Sequence, residues 1–200
     1  MNEAGLCLVS IFYFDSTHSE KQCLRRFLVS TIIQLFGQSY PYFEVFQKLY
    51  VSYGSGSKLP DDKALTQCLK DMLMLPRHPK IYLIMDGLNE CPIYDRYGCP
   101  RNRVLDLIED LVGLHLPNLR ICVTSHLEPD IELVLKPLAS FTVCLHDEEG
   151  QKQSIVDFIR FVVQDDSDMQ KWSVDIKKLV IDTLSQNADG RYVTLIISSQ

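Results

Sequence analysis

Short apolar runs alternate along this chain with segments whose apolar residues recur at helical spacing. Strand-like runs occupy residues 6–14, 81–85, 119–125 and 140–145. Apolar residues spaced three and four apart predict helices within 20–36, 42–53, 61–73, 104–114 and 129–135. Because helices separate successive strands, we predict an α/β fold with a parallel sheet and crossover helices.

The last third of the chain has a different pattern. After Asp147 the periodicity is helical only, with apolar stripes within 155–163 and 176–184. We therefore expect an α/β core in residues 1–146, a small helical extension in 147–190 and a tail in 191–200.

Composition and charge limit the classes of partner. The 200 residues are 46% hydrophobic and 23% charged, as in an ordinary globular protein. The net charge of −6, with no dense cluster of lysine and arginine, argues against binding to nucleic acid or to an anionic membrane. The apolar run at residues 6–14 is too short to span a bilayer and has no basic flank. We expect a cytoplasmic protein.

Seven cysteines are scattered through the chain, and none forms a CxxC pair. An odd number without a pairing pattern is typical of free thiols in a reducing compartment. A zinc site built from Cys91, Cys99 and a histidine is the alternative, although its spacing matches no common zinc motif.

Two acidic residues follow the apolar run at 81–85. Asp86 comes directly after it, and Glu90 lies one turn later. So short a run indicates a strand buried on both faces, and open α/β folds bind ligands at the carboxyl ends of such strands. Nucleotide hydrolases place carboxylates there to hold Mg²⁺ and to orient water. The alternatives are an ordinary strand-to-helix turn and carboxylate-assisted hydrolysis without nucleotide.

Thr124, Ser125 and His126 end the next apolar run in the same way. Hydroxyl groups at that position could contact a phosphate or an attacking water across the crevice. The simpler alternative is that Thr124 and Ser125 cap the following turn. His126 carries little charge at neutral pH and is therefore a poor permanent phosphate ligand.

The phosphate-binding loop that should accompany such a site is missing from the sequence. It requires GxxxxGK[ST], in which glycines admit the phosphates, the lysine contacts them and the hydroxyl binds the metal. No such pattern occurs in the 200 residues. Residues 54–58 (GSGSK) imitate it, but Leu59 and Pro60 follow the lysine and argue against a helix opening there.

Taken together, these segments resemble the NACHT domains of fungal NOD-like (STAND) proteins, in particular the nephrocystin 3-like N-terminal domain group. Residues 81–92 (IYLIMDGLNECP) are similar to that family's Walker B segment, an apolar strand followed by DALDECP. Residues 119–131 (LRICVTSHLEPDI) are similar to its sensor-one segment, which ends in TSRPEPDI. Residues 12–15 (FYFD) and 145–150 (LHDEEG) also fit in order and spacing.

The resemblance implies a P-loop NTPase-like core and assigns roles by position. Asp86 would coordinate the Mg²⁺ of a bound Mg-ATP or Mg-GTP, and Glu90 would orient the attacking water. Thr124, Ser125 and His126 would occupy the sensor-one position and contact the nucleotide.

This sequence departs from the family pattern in three ways. Asn89 replaces an acid, His126 replaces an arginine, and the family's first strand, Walker A segment and first helix are absent. In the family's sheet the P-loop strand lies between the sensor-one strand (119–125) and the last strand (140–145). Its absence would leave an open edge, so either residues 140–145 pair directly with 119–125 or the chain is unstable alone, and we predict the direct pairing.

These considerations favour a truncated NACHT-type signalling NTPase module that does not hydrolyse nucleotide alone, and therefore is not an enzyme. Mg-ATP or Mg-GTP would bind weakly or not at all. One alternative is a non-catalytic interaction module, or decoy, that self-associates or pairs with related NACHT proteins. Another is that these residues belong to a longer, active ATP- or GTP-binding STAND protein.

Overall fold

A computed structural model describes residues 7–18, 23–76, 79–94, 100–126, 128–144, 157, 160–161, 163–164, 173–186 and 192–197. Contacts divide the chain into two compact units, one of Met1–Thr142 with Val193–Gln200 and one of Val143–Tyr192. The predicted boundary between residues 146 and 147 lies outside the described residues, as do Cys99 and most of the helix predicted within 155–163.

Strands and helices alternate as predicted, which confirms the α/β class. The described strands are β1 (Cys7–Tyr13), β2 (Lys80–Asp86), β3 (Leu119–Ser125), β4 (Phe141–Cys144) and β5 (Tyr192–Ile197). The described helices are α1 (Leu24–Phe36), α2 (Tyr40–Ser52), α3 (Asp62–Leu73), α4 (Pro100–Gly113), α5 (Pro129–Leu138) and α6 (Val174–Gln186). Within these ranges, every helix is too short or too polar to cross a lipid bilayer.

Three parallel strands form the framework of the first unit. β2 pairs with β1 on one side, where Tyr13 lies opposite Asp86, and with β3 on the other, where Met85 lies opposite Val123. Alternate residues of β2 point into the core and are fully buried, namely Ile81, Leu83 and Met85. Its other face is only half-buried, so the predicted burial of this strand on both faces is incomplete.

Helix α3 shows how the apolar stripes enter the core. The apolar residues that recur at helical spacing in this segment are all buried: Leu65, Cys68, Leu69, Met72 and Leu73. Asp61 caps the helix, because its carboxylate accepts a hydrogen bond from the Ala64 amide at 2.8 Å. Asp62 instead forms ion pairs with Arg25 of α1, at 3.1 Å, and with Arg103 of α4. One carboxylate thus links three helices.

The tail contains a strand that the sequence analysis did not predict. β5 lies between β3 and β4, and the strand order is β1-β2-β3-β5-β4. The predicted direct pairing of residues 140–145 with 119–125 is therefore wrong. The open side of β3 needs partners for its N–H and C=O groups, and residues 192–197 (YVTLII), rich in β-branched side chains, supply them.

Replacing Leu195 with proline tests the position of β5. Because β5 has a neighbour on each side, the proline removes a ladder N–H whichever neighbour that group faces. We expect Leu195→Pro to lower the free energy of unfolding by about 2–4 kcal/mol. Urea unfolding followed by circular dichroism measures the change, and Leu195→Val, which keeps the N–H, is the control. Equal stability of the two variants would show that β5 does not pair within the sheet.

Candidate functional site

The carboxyl ends of the three parallel strands meet at one edge of the sheet. Asp86 is the last residue of β2, and its carbonyl oxygen accepts a hydrogen bond from the Phe14 amide, just after β1, at 2.9 Å. On the other side, the pairing of Met85 with Val123 brings Asp86 level with Thr124 of β3. This register gathers the predicted residues at the edge where open α/β folds bind ligands.

Thr124 fixes the carboxylate of Asp86. Its hydroxyl donates a hydrogen bond to Asp86 Oδ1 and accepts one from the Gly87 amide at 2.9 Å. Cys122 lies on the same half-buried face of β3, where burial, and to a smaller extent the negative charge of Asp86, raise the pKa of its thiol. The position of the Asp86 carboxylate is therefore fixed by Thr124, a residue of the neighbouring strand in the same sheet.

Gly87 turns the chain out of β2 and towards Glu90. Its φ of 71° lies in the left-handed region, which favours glycine. A 3₁₀ turn, Leu88–Glu90, follows, and the Glu90 amide donates to the Gly87 carbonyl at 2.8 Å. Leu88 and Cys91 are fully buried and anchor the turn, so Glu90 stands half-exposed beside the edge.

Asn89 connects this turn to the end of β3. Its Oδ1 accepts a hydrogen bond from the His126 amide at 3.0 Å, and its Nδ2 lies 3.4 Å from Glu90 Oε1 as a donor. An aspartate could accept the first hydrogen bond but could not donate the second. The residue that departs from the family pattern therefore ties together the two segments that carry the predicted site.

Ser125 and His126 make local contacts. The buried Ser125 hydroxyl donates to the His126 carbonyl at 2.6 Å, as a turn-capping residue would. His126 contributes its main-chain amide to the Asn89 contact. The structure thus places both residues at the edge of the sheet, while the side chain of Thr124 contacts Asp86.

Arg101 is the residue of this site that the sequence analysis missed. It lies in the first turn of α4, is 3% exposed, and donates from Nε to the Cys91 carbonyl at 2.8 Å and from Nη2 to the Asn89 carbonyl at 2.7 Å. Its Nη1 forms ion pairs with Glu128 and with Asp130 at 3.1 Å, at the start of α5. One buried guanidinium therefore joins the loop after β2 to the loop after β3.

A sequence signal for Arg101 did exist. Arg101, Val104, Leu105 and Ile108 are spaced as one face of a helix, so the arginine falls on the apolar stripe of α4. A charged residue on such a stripe is rarely buried without a partner. The two acids that it requires lie 27 and 29 residues further along the chain, and spacing alone could not identify them.

Asp15 forms a small polar cluster just beyond β1. Its Oδ1 accepts hydrogen bonds from the Thr17 hydroxyl and, at 2.9 Å, from the Thr17 amide, and its Oδ2 lies 2.7 Å from His18 Nδ1. The hydrogen bonds from Thr17, together with the nearby imidazole, hold the pKa of this carboxyl well below its usual range. Asp15 therefore stays ionised at neutral pH, just beyond the carboxyl end of β1.

A Mg-nucleotide fits these residues only in part. Within the described ranges, no three His, Cys, Asp or Glu side chains converge to hold a metal ion. Nucleotide-bound Mg²⁺ needs only one or two protein carboxylates, because phosphates and water complete its shell, and Asp86 could supply one. The glycine-rich loop and lysine that hold the phosphates are not in the sequence. The residues present do not fit the whole group, and no hydrolytic step follows from them.

Fold and site together define a class: an α/β protein with a parallel sheet and paired acids at its carboxyl edge. The model of the family "Nephrocystin 3, N-terminal" matches residues 2–126, which is more than half of the chain. The protein belongs to this family. No curated protein and no solved structure matches the chain.

Arg101 offers a test of how the two loops are held. Arg101→Met keeps the apolar stem but leaves two carbonyls and two carboxylates without their donor. We expect a loss of about 3 kcal/mol in the free energy of unfolding, the lower end for a broken buried ion pair, because both carboxylates are about one-third exposed.

The control for this experiment lies two residues further along α4. Arg103 also pairs with an aspartate, Asp62, but its side chain is half-exposed. Arg103→Met should cost less than about 1 kcal/mol, as is usual for an exposed ion pair. Urea unfolding compares the two variants, and a similar loss from both would refute the role assigned to Arg101.

Proposed function

We propose that this protein is a NACHT-type signalling module of the STAND class that does not hydrolyse nucleotide by itself. One observation carries the proposal: Asp86, Glu90 and Thr124 lie at the carboxyl edge of the sheet, while GxxxxGK[ST], the pattern that holds the β- and γ-phosphates, does not occur in the 200 residues. Catalysis of phosphoryl transfer depends on positioning those phosphates, so the acids alone are insufficient.

We also place the protein in the cytoplasm, without a nucleic-acid or membrane partner. Among the described residues, Cys7, Cys23, Cys68 and Cys122 are free thiols. Free thiols suit a reducing compartment. The net charge of −6 opposes association with nucleic acid.

Nucleotide binding and hydrolysis are the direct test. We expect no phosphate release above the buffer rate, and no rise in melting temperature with Mg-ATP or Mg-GTP, because a ligand that does not bind the folded state cannot stabilise it. Malachite-green detection of phosphate and differential scanning fluorimetry measure the two quantities.

Two variants make this test decisive. Asp86→Ala removes the candidate Mg²⁺ ligand, and Asp106→Ala removes an exposed aspartate of α4 as a matched control. A thermal shift with Mg-ATP that disappears in Asp86→Ala but persists in Asp106→Ala would overturn the proposal. It would favour an active nucleotide site in these residues.

A second candidate function is that of an interaction module that binds an intact relative of the same family. The apolar side of α2 favours it, since Tyr42 is the only buried residue of that helix. Tyr50 is 46% exposed, and Ile33 and Leu59 extend the apolar surface. Together with Phe46 and Leu49, they border an apolar cavity of about 300 Å³. Contiguous exposed apolar surface of this kind is typical of protein-binding sites.

This candidate predicts that α2 residues determine binding. We expect Tyr50→Ser to weaken binding to an intact family member, one that carries GxxxxGK[ST], by about tenfold or more, as loss of central apolar contacts does. Isothermal titration calorimetry measures the affinity. Leu133→Ser, at a residue of α5 that is 77% exposed, is the control. Equal affinity of wild type and both variants would exclude α2 as the binding surface.

A further inference from the structure

The outer edge of β1 is occupied by side chains. Among the described strands, β1 is the terminal one of the sheet, so no described strand pairs with the N–H and C=O groups on its far side. Val9 and Ile11 present those groups. Gln38 Oε1 accepts from the Val9 amide at 3.1 Å, and Gln38 Nε2 donates to the Val9 carbonyl at 2.8 Å. Gln34 makes the same pair of contacts with Ile11, both at 2.9 Å.

The spacing of the two glutamines matches the repeat of the strand. Residues two apart in a strand are separated by about 6.6 Å. Residues four apart in a helix are separated by about 6 Å along the axis. Gln34 lies in α1 and Gln38 just after its end, so their amides meet Val9 and Ile11 in register. Each side-chain amide has one donor group and one acceptor group facing β1, as a strand residue would.

Both amides have a further hydrogen bond that fixes their orientation. The second N–H of Gln34 donates to Ser30 Oγ at 2.9 Å, and that of Gln38 donates to the Gln34 carbonyl at 2.7 Å. Rotating either amide by half a turn would place its NH₂ group against a β1 amide. The arrangement is therefore specific for glutamine in this orientation.

We infer that Gln34 and Gln38 act as a substitute strand that blocks strand addition at β1. We term this residue pair the glutamine clamp. The strand that it covers, β1, is suited to pairing with a second copy of itself. β1 (CLVSIFY) has no charged residue and no proline, and most of its residues are β-branched, aromatic or aliphatic. The occupant that the clamp excludes is β1 of a second copy of this chain. This inference does not depend on the proposed function.

The test is the double variant Gln34→Ala/Gln38→Ala. Amide hydrogen exchange at low protein concentration should accelerate about tenfold at Val9 and Ile11, whose acceptors are lost, and remain unchanged at Leu83 in the centre of the sheet. Light scattering over a concentration series should then show a larger mass than wild type. Gln47→Ala/Gln67→Ala, at two exposed glutamines of α2 and α3, should match wild type in both measurements.

A milder variant covers the case in which the double variant does not fold. Gln38→Glu keeps the size of the side chain and its acceptor but places a carboxylate against the Val9 carbonyl. It should accelerate exchange at Val9 and leave Ile11 close to the wild-type rate. Unchanged exchange at Val9, or faster exchange with no increase in mass for the double variant at any concentration, would overturn the inference.

Discussion

The parallel pairing of β2 with both of its neighbours is the constraint on which the first unit depends. It buries Ile81, Leu83 and Met85 on one face, and because side chains alternate along a strand, it places Asp86 on the opposite face. A slip of one residue would turn the carboxylate into the core and expose the apolar side chains. The hydrogen bond from Thr124 to Asp86 is a consequence of this register. The packing of the strand thus positions the site.

The sheet has two strand edges that need hydrogen-bond partners, and a different structure supplies the partners at each edge. Every strand edge presents backbone groups that need hydrogen-bond partners. Beside β3, the chain uses a further strand, β5. Beside β1, it uses the side chains of Gln34 and Gln38. A strand is continuous and can receive another neighbour on its far side, whereas a pair of glutamines ends the sheet.

The sequence was sufficient for elements whose signal is local. The stripe of α3 predicted both element type and buried face, and the apolar run of β2 predicted the element type, because periodicity depends only on neighbouring residues. The carboxyl edge was predictable as well, since it follows from parallel strands. The position of β5 was not predictable, because the neighbour of a short apolar strand depends on which strand edge of the sheet remains unpaired. The roles of Arg101 and Gln34 depend on contacts across more than twenty residues, which no spacing rule encodes.

Residues 86–90 (DGLNE) have a structural role in this protein whether or not a nucleotide binds. Asp86 accepts a hydrogen bond from Thr124, the Asn89 side chain holds the His126 amide, and Arg101 binds the carbonyls of Asn89 and Cys91. Each contact joins the end of β2, or the loop after it, to a neighbouring element, and removing one would cost a hydrogen bond at this edge of the sheet. The presence of these residues therefore does not by itself imply that the protein hydrolyses nucleotide. Their match to the family identifies the kind of fold, while activity depends on whether phosphates can be held beside them.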